Sequence, residues 1–163
     1  MLAVVNQLFA IYFKLNLAAN CNRYTKPLEA QAWLREDLQR AAAGSQTYLP
    51  RRYTVTYKFF TGRLALIRDE FKNAEQDLSF AFAKCHRSSI ENKRLLLFLL
   101  VPVRLLLGKR PSLQLLRKYE LEQEFGRVVQ ACAEGNLRVF DECVQQNMEV
   151  YVRRGIYLLM SNN

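Results

Sequence analysis

Arg87, Lys93, Arg94, Lys109, Arg110, Arg117 and Lys118 crowd into about thirty residues of a 163-residue chain. Guanidinium and ammonium groups at this density recognise phosphate or carboxylate oxygens through charge-assisted hydrogen bonds. Arg outnumbers Lys by 16 to 8, which favours planar, bidentate recognition over simple solubility. The turn near 108–112 adds backbone amides to the same segment. Two features work against a nucleic-acid surface here. Arg104 lies within an apolar run and can merely snorkel out of it, and few aromatic residues interleave to stack on bases. A solvated basic face without a ligand is the plainer alternative.

Bond-breaking chemistry finds little support. Cys21, Cys85, Cys132 and Cys143 are scattered with no CxxC pair, and adjacent Cys85 and His86 point apart on a helix or turn. They read as free, partly buried thiols of a reducing compartment. Asp69-Glu70 and Glu120-x-Glu122-x-Glu124 read as solvated helix ends or faces, and Ser88-Ser89 as a cap. No nucleophile–base set, phosphate-cradling glycine loop or metal cluster stands out, so no catalytic residue, metal or cofactor is expected.

The groups that remain must be carried by helices. Half of the residues are apolar, which excludes global disorder, and strand signals are nearly absent. The net charge is +9, with 20 of the 24 basic residues but 8 of the 15 acidic ones before Tyr119. A basic face of this kind suits nucleic acid, an acidic protein segment or an anionic membrane surface. The run from Leu95 to Leu107, broken by Pro102 and Arg104, is too short to span a bilayer. The first residues read as an amphipathic helix and not as a signal peptide.

The periodicity predicts a helix over 2–18, a polar break over 20–26, and a weaker helix over 27–43 with Pro27 in its first turn. A loop follows to Pro50, and Trp33 is expected to pack locally. Helices over 51–68 and 71–85 form a hairpin, with small residues Gly62, Ala74 and Ala81 set among Phe59, Leu66, Phe71, Leu78 and Phe82. Antiparallel helices cross closely where small residues face each other, which is the rhythm of tetratricopeptide-like repeats. A capping box at Ser88-Ser-Ile-Glu91 launches a mostly apolar helix over 89–107, kinked by Pro102 and closed by Gly108. Shorter helices are expected from Ser112 to about Tyr119, over 121–133, over 137–146 after Gly135-Asn136, and over 150–160. The domain reading is N-terminal helices and an irregular linker over 1–50, then a helical-repeat region over 51–163. Apolar helices at both ends read as unfinished edges.

Several stretches together resemble the PCI-domain family, named for the proteasome lid, the signalosome and a translation initiation factor. They are Val5-Asn-Gln-Leu-Phe-Ala-Ile-Tyr-Phe-Lys-Leu-Asn16, Thr56-Tyr-Lys-Phe-Phe-Thr-Gly-Arg63 and Leu78-Ser-Phe-Ala-Phe-Ala-Lys-Cys-His-Arg-Ser-Ser89. Asn92-Lys-Arg94, Pro102-Val103, Leu106-Leu-Gly108 and Glu134-Gly-Asn-Leu137 extend the match. More narrowly, they resemble the PCI subunit of the TREX-2-type transcription–export complex.

The resemblance implies an all-α, right-handed helical-repeat stack leading into a winged helix near Ser161, and this chain is expected to lack that C-terminal winged helix. It implies a nuclear scaffold in messenger-RNA export, near the pore, with some cytoplasmic presence. Its partners would be a large elongated scaffold protein and a small acidic disordered one, with RNA or DNA as a further ligand and no membrane insertion. Residues 20–50 follow the family pattern poorly. A scaffold subunit of another PCI complex is the alternative.

Overall fold

In the computed structural model, which describes residues 1–161, every regular element among the described residues is a helix. The first element, α1 (Leu2–Lys14), buries Leu2, Val5 and Phe9 on one face, together with Asn6. Burying an amide side chain demands a partner, and Asn6 Nδ2 donates to the Tyr53 carbonyl at 2.9 Å. α1 stops short of the expected residue 18 because Asn16 takes a left-handed φ of 57°. A 3-10 turn, Ala18–Cys21, follows.

The polar break expected over 20–26 is instead largely helical. α2 (Asn22–Glu29) runs through Pro27, the chain turns at Ala30-Gln31, and α3 (Ala32–Ala43) begins afterwards. Pro27 is tolerated because α2 is so short: its first four residues have no intrahelical acceptor, so the ring removes a single ladder bond. Thr25 and Leu28 supply its buried side. Trp33, expected to pack locally, is 39% exposed. The loop after α3 is pinned by Asp37, which is 1% exposed and accepts the backbone amides of Tyr48 at 2.6 Å and Leu49 at 3.2 Å.

The hairpin forms where the sequence placed it, as α4 (Arg51–Ile67) and α5 (Phe71–Lys84). Its close approach is small against large: a Cβ added to Gly62 would lie 2.8 Å from Leu78 Cγ. Ala74, Leu78 and Ala81 are fully buried beside it. Across the same interface, Lys58 Nζ lies 2.6 Å from Asp77 Oδ1, and Thr61 Oγ1 donates to Asp77 Oδ2 at 2.5 Å. α1 completes this core, with the Phe9 ring edge-on to Phe60 at 6.0 Å and Phe13 stacked on Phe60 at 5.4 Å.

The helices and turn up to Arg87 form one compact unit, and a second begins at Ser88. In the second unit α6 (Ile90–Leu106) is buried continuously from Leu96 to Val103 and carries Pro102 inside it. The expected capping box has Ser88 as its N-cap, but the helix starts one residue later. The N-cap position belongs to Ser89, whose side chain makes no capping bond. α6 ends in a Schellman motif, with Gly108 N–H donating to Leu105 O at 2.9 Å and Lys109 N–H to Arg104 O at 2.7 Å.

α7 (Leu113–Lys118), α8 (Glu122–Glu134) and α9 (Leu137–Gln146) follow as predicted within a residue or two. The Ser112 and Asn136 side chains cap α7 and α9. The single helix expected over 150–160 is two, α10 (Met148–Arg154) and α11 (Tyr157–Ser161). Gly155 divides them at φ 74°, a conformation that side chains with a Cβ rarely adopt. The core here is Phe98, Phe125 and Tyr151, with ring centroids 5.0 to 6.3 Å apart. No helix among the described residues is long and apolar enough to cross a membrane.

Candidate interaction surface

The first turns of α6 set Ile90, Arg94 and Phe98 four residues apart, which places them on one helical face. That face borders a groove of about 480 Å³, with Lys118, Tyr119, Glu120 and Glu124 on one side and Val150 and Arg154 of α10 on the other. Ile90 is 51% exposed and Val150 39%, so apolar surface meets solvent at the rim. The charges in the groove answer one another. Arg94 Nη2 donates to the Glu120 carbonyl at 3.0 Å and lies 3.4 Å from Glu124 Oε1, while its Nη1 lies 3.6 Å from Glu120 Oε2. The Arg154 guanidinium sits 5.7 Å from the Phe98 ring centre, a cation–π distance.

Beneath the groove, the Tyr151 hydroxyl donates to the Glu124 carbonyl at 2.5 Å, which ties α10 to α8. Burial raises the Tyr151 phenol above its ordinary range, and nearby Cys143 and Glu124 add to the shift. Buried Phe98 lines the groove, and the walls carry both signs of charge. Such a surface seats an apolar or aromatic anchor flanked by charged residues. It is poorly matched to a bare run of phosphates.

Of the seven cations singled out in the sequence, the structure brings Arg94 and Lys118 into this groove. Arg117 is engaged with Glu122, its Nε donating to the two carboxylate oxygens at 2.9 and 3.0 Å. Lys93 is buried at 8% exposure. Lys109 and Arg110 are exposed beyond α6. Arg110 is near enough to Cys132 to oppose the upward shift that burial gives that thiol. Arg87 is exposed at the end of the first unit.

The sequence reading missed Phe98, Tyr119, Glu124, Val150 and Arg154. Only the four-residue spacing of Ile90, Arg94 and Phe98 carried a local signal for them. Among the described residues, no group of three His, Cys, Asp or Glu is placed to hold a metal ion.

No protein-family profile matches the chain. Curated relatives do. PCI domain-containing protein 2 of Xenopus laevis is 39% identical over 98% of this chain and 37% of its own length. The PCI domain-containing protein 2 homolog of Dictyostelium discoideum is 38% identical over 98% of this chain and 34% of its own length. The Protein CSN12 homolog of Neurospora crassa is 34% identical over 96% of this chain and 33% of its own length. The chain thus spans about a third of the length of the relatives it matches.

Proposed function

We propose, from the premise that this chain is a homologue of PCI-domain proteins over 98% of its length, that it acts as a non-catalytic scaffold in protein–protein assembly. In its sharper form, the proposal places it in a TREX-2-type complex that links transcription to nuclear mRNA export. The observation that carries the scaffold reading is the groove between α6 and α10, with exposed Ile90 and Val150 at its rim and matched charges on its walls. Apolar anchors with a charged surround are how extended or helical segments dock on a preformed surface. In this reading a large elongated export scaffold uses the groove, and a small acidic disordered protein uses the basic excess. RNA or DNA is a further ligand, and the protein works in the nucleus near the pore.

Size-exclusion chromatography of the chain mixed with an acidic disordered peptide tests the assembly role. Co-elution and a raised melting midpoint are expected. An unchanged elution volume together with an unchanged midpoint removes the acidic-partner part of the proposal. A pull-down that compares this chain with one extended to the relatives' length tests membership of the export complex. A turnover screen on nucleotides and esters is expected to stay at background.

A further inference from the structure

Between the end of α3 and the start of α4 lies a pocket of about 50 Å³, lined by Gly44, Ser45, Thr47, Arg51, Thr54 and Lys84 among others. It belongs to the first unit and is separate from the groove on α6. Thr54 is 2% exposed, and its Oγ1 has no hydrogen-bond partner in the structure. A buried hydroxyl in that state costs free energy that a ligand oxygen would recover.

The surroundings specify which ligand. No carboxylate lines the pocket, and two cations do, Arg51 and Lys84. α4 starts here without a side-chain cap, so the positive end of its dipole lies at this spot, with the Tyr53 amide already donating to the Pro50 carbonyl at 2.9 Å. The opposing negative end of α3 is offset by Lys84 Nζ, which lies 3.3 Å from the Ala42 carbonyl. Ser45 adds a hydroxyl to the lining, while the Thr47 hydroxyl already donates to the Leu49 carbonyl at 3.0 Å.

We propose that this pocket binds a phosphomonoester, the terminal phosphate of a phosphorylated serine or threonine on a partner segment. A helix N-terminus, two cations and a buried hydroxyl together match a dianionic group rich in acceptor oxygens. Thr54, with its unpaired hydroxyl, is part of the lining, and a volume of about 50 Å³ takes one compact group. A phosphodiester must pass through its site with chain on both sides, so a terminal phosphate fits better than an internal nucleic-acid one. This site goes beyond the scaffold reading and does not depend on it.

The test is a ¹H–¹⁵N NMR titration of the 163-residue chain with N-acetyl-O-phosphoserine amide, with N-acetylserine amide and a blunt single-stranded RNA as parallel probes. Saturable shifts confined to amides of residues 44–55 and 84 are expected with the phosphorylated probe alone. Thr54→Val and Arg51→Gln should each weaken binding about tenfold, as expected for one lost bond to a charged ligand, while the melting midpoint rises for Thr54→Val, which loses an unpaired buried hydroxyl, and is unchanged for Arg51→Gln. Three results overturn the proposal. They are shifts scattered over the basic surface, affinity indifferent to both substitutions, or RNA that moves the same amides with the same dependence on Thr54.

Discussion

Tyr57 shows how much one buried atom can reveal. Its side chain is 1% exposed and its hydroxyl has no partner, whereas Tyr151, equally buried, donates to a backbone carbonyl. Replacing Tyr57 by Phe removes an unsatisfied polar group and should stabilise the protein by about 1 kcal/mol, while Tyr151→Phe should cost about 1 kcal/mol. Urea denaturation at neutral pH separates the two. Burial, with Glu29 and Asp77 nearby, raises the Tyr57 phenol above its ordinary range. The unfolded phenol ionises near about pH 10, while the folded one keeps its proton. Above that pH the native state binds more protons than the unfolded state, so stability falls as pH rises. Melting midpoints of Tyr57→Phe should therefore decline less steeply above about pH 10 than those of the parent, with Tyr151, Tyr12 and Cys21, whose protons folding also retains, contributing to the remaining slope.

Gly62 is the other position where a single atom decides. A side chain there must displace Leu78 at the hairpin's tightest approach, so Gly62→Val should cost roughly 2 kcal/mol in urea denaturation. In a Leu78→Ala background that penalty should shrink, giving a coupling of about 1 kcal/mol in the double-mutant cycle. Equal penalties in both backgrounds would show that the crossing is not what holds the glycine.

At the scale of elements, what the sequence disclosed was what local chemistry controls. α4, α5 and α9 fall within a residue of expectation because their stops and starts are written nearby: Pro50 before α4, Gly135-Asn136 before α9, and a turn at Asp69-Glu70. Where the reading failed, a local cue had competitors. Pro27 suggested a helix start but sits inside α2, and Gly155 lay hidden in an apolar run that looked continuous. The Ser88-Ser-Ile-Glu91 pattern matched a capping box with Ser88 as N-cap, yet the N-cap of α6 is Ser89, whose side chain makes no capping bond. That contrast is measurable. Asn136→Ala, which removes a bond to the Val139 amide, should cost about 1 kcal/mol in thermal or urea unfolding. Ser89→Ala should stay within about 0.5 kcal/mol of the parent. The groove was the least legible feature, because its walls come from α6, the α7–α8 turn and α10, and no periodicity spans 90 to 154.

Over the whole molecule, the structure redistributes the charge that dominates the sequence. Before Ser88 there are thirteen basic and seven acidic residues; from Ser88 onward there are eleven and eight. The greater excess, +6 of the +9, therefore belongs to the first unit and not to the segment with the densest cations. Within that segment Lys93 is buried, and Arg94 and Arg117 already face carboxylates. Breaking those contacts to reach a phosphate would expose Glu120, Glu122 and Glu124 to the same anion, so these two arginines are poor donors to nucleic acid. Counterion release makes the argument quantitative, since each phosphate neutralised on a single strand contributes about −0.7 to the slope of log K against log salt. If the chain binds RNA, replacing Lys109, Arg110 and Lys118 together by Gln should lessen that slope by no more than about 2. Replacing Arg94 and Arg117 should change it little. A fluorescence-anisotropy salt titration reads both numbers. A large slope change from Arg94 and Arg117 would mean that their carboxylate pairs open on binding, and the groove would then be a nucleic-acid surface instead of a protein one.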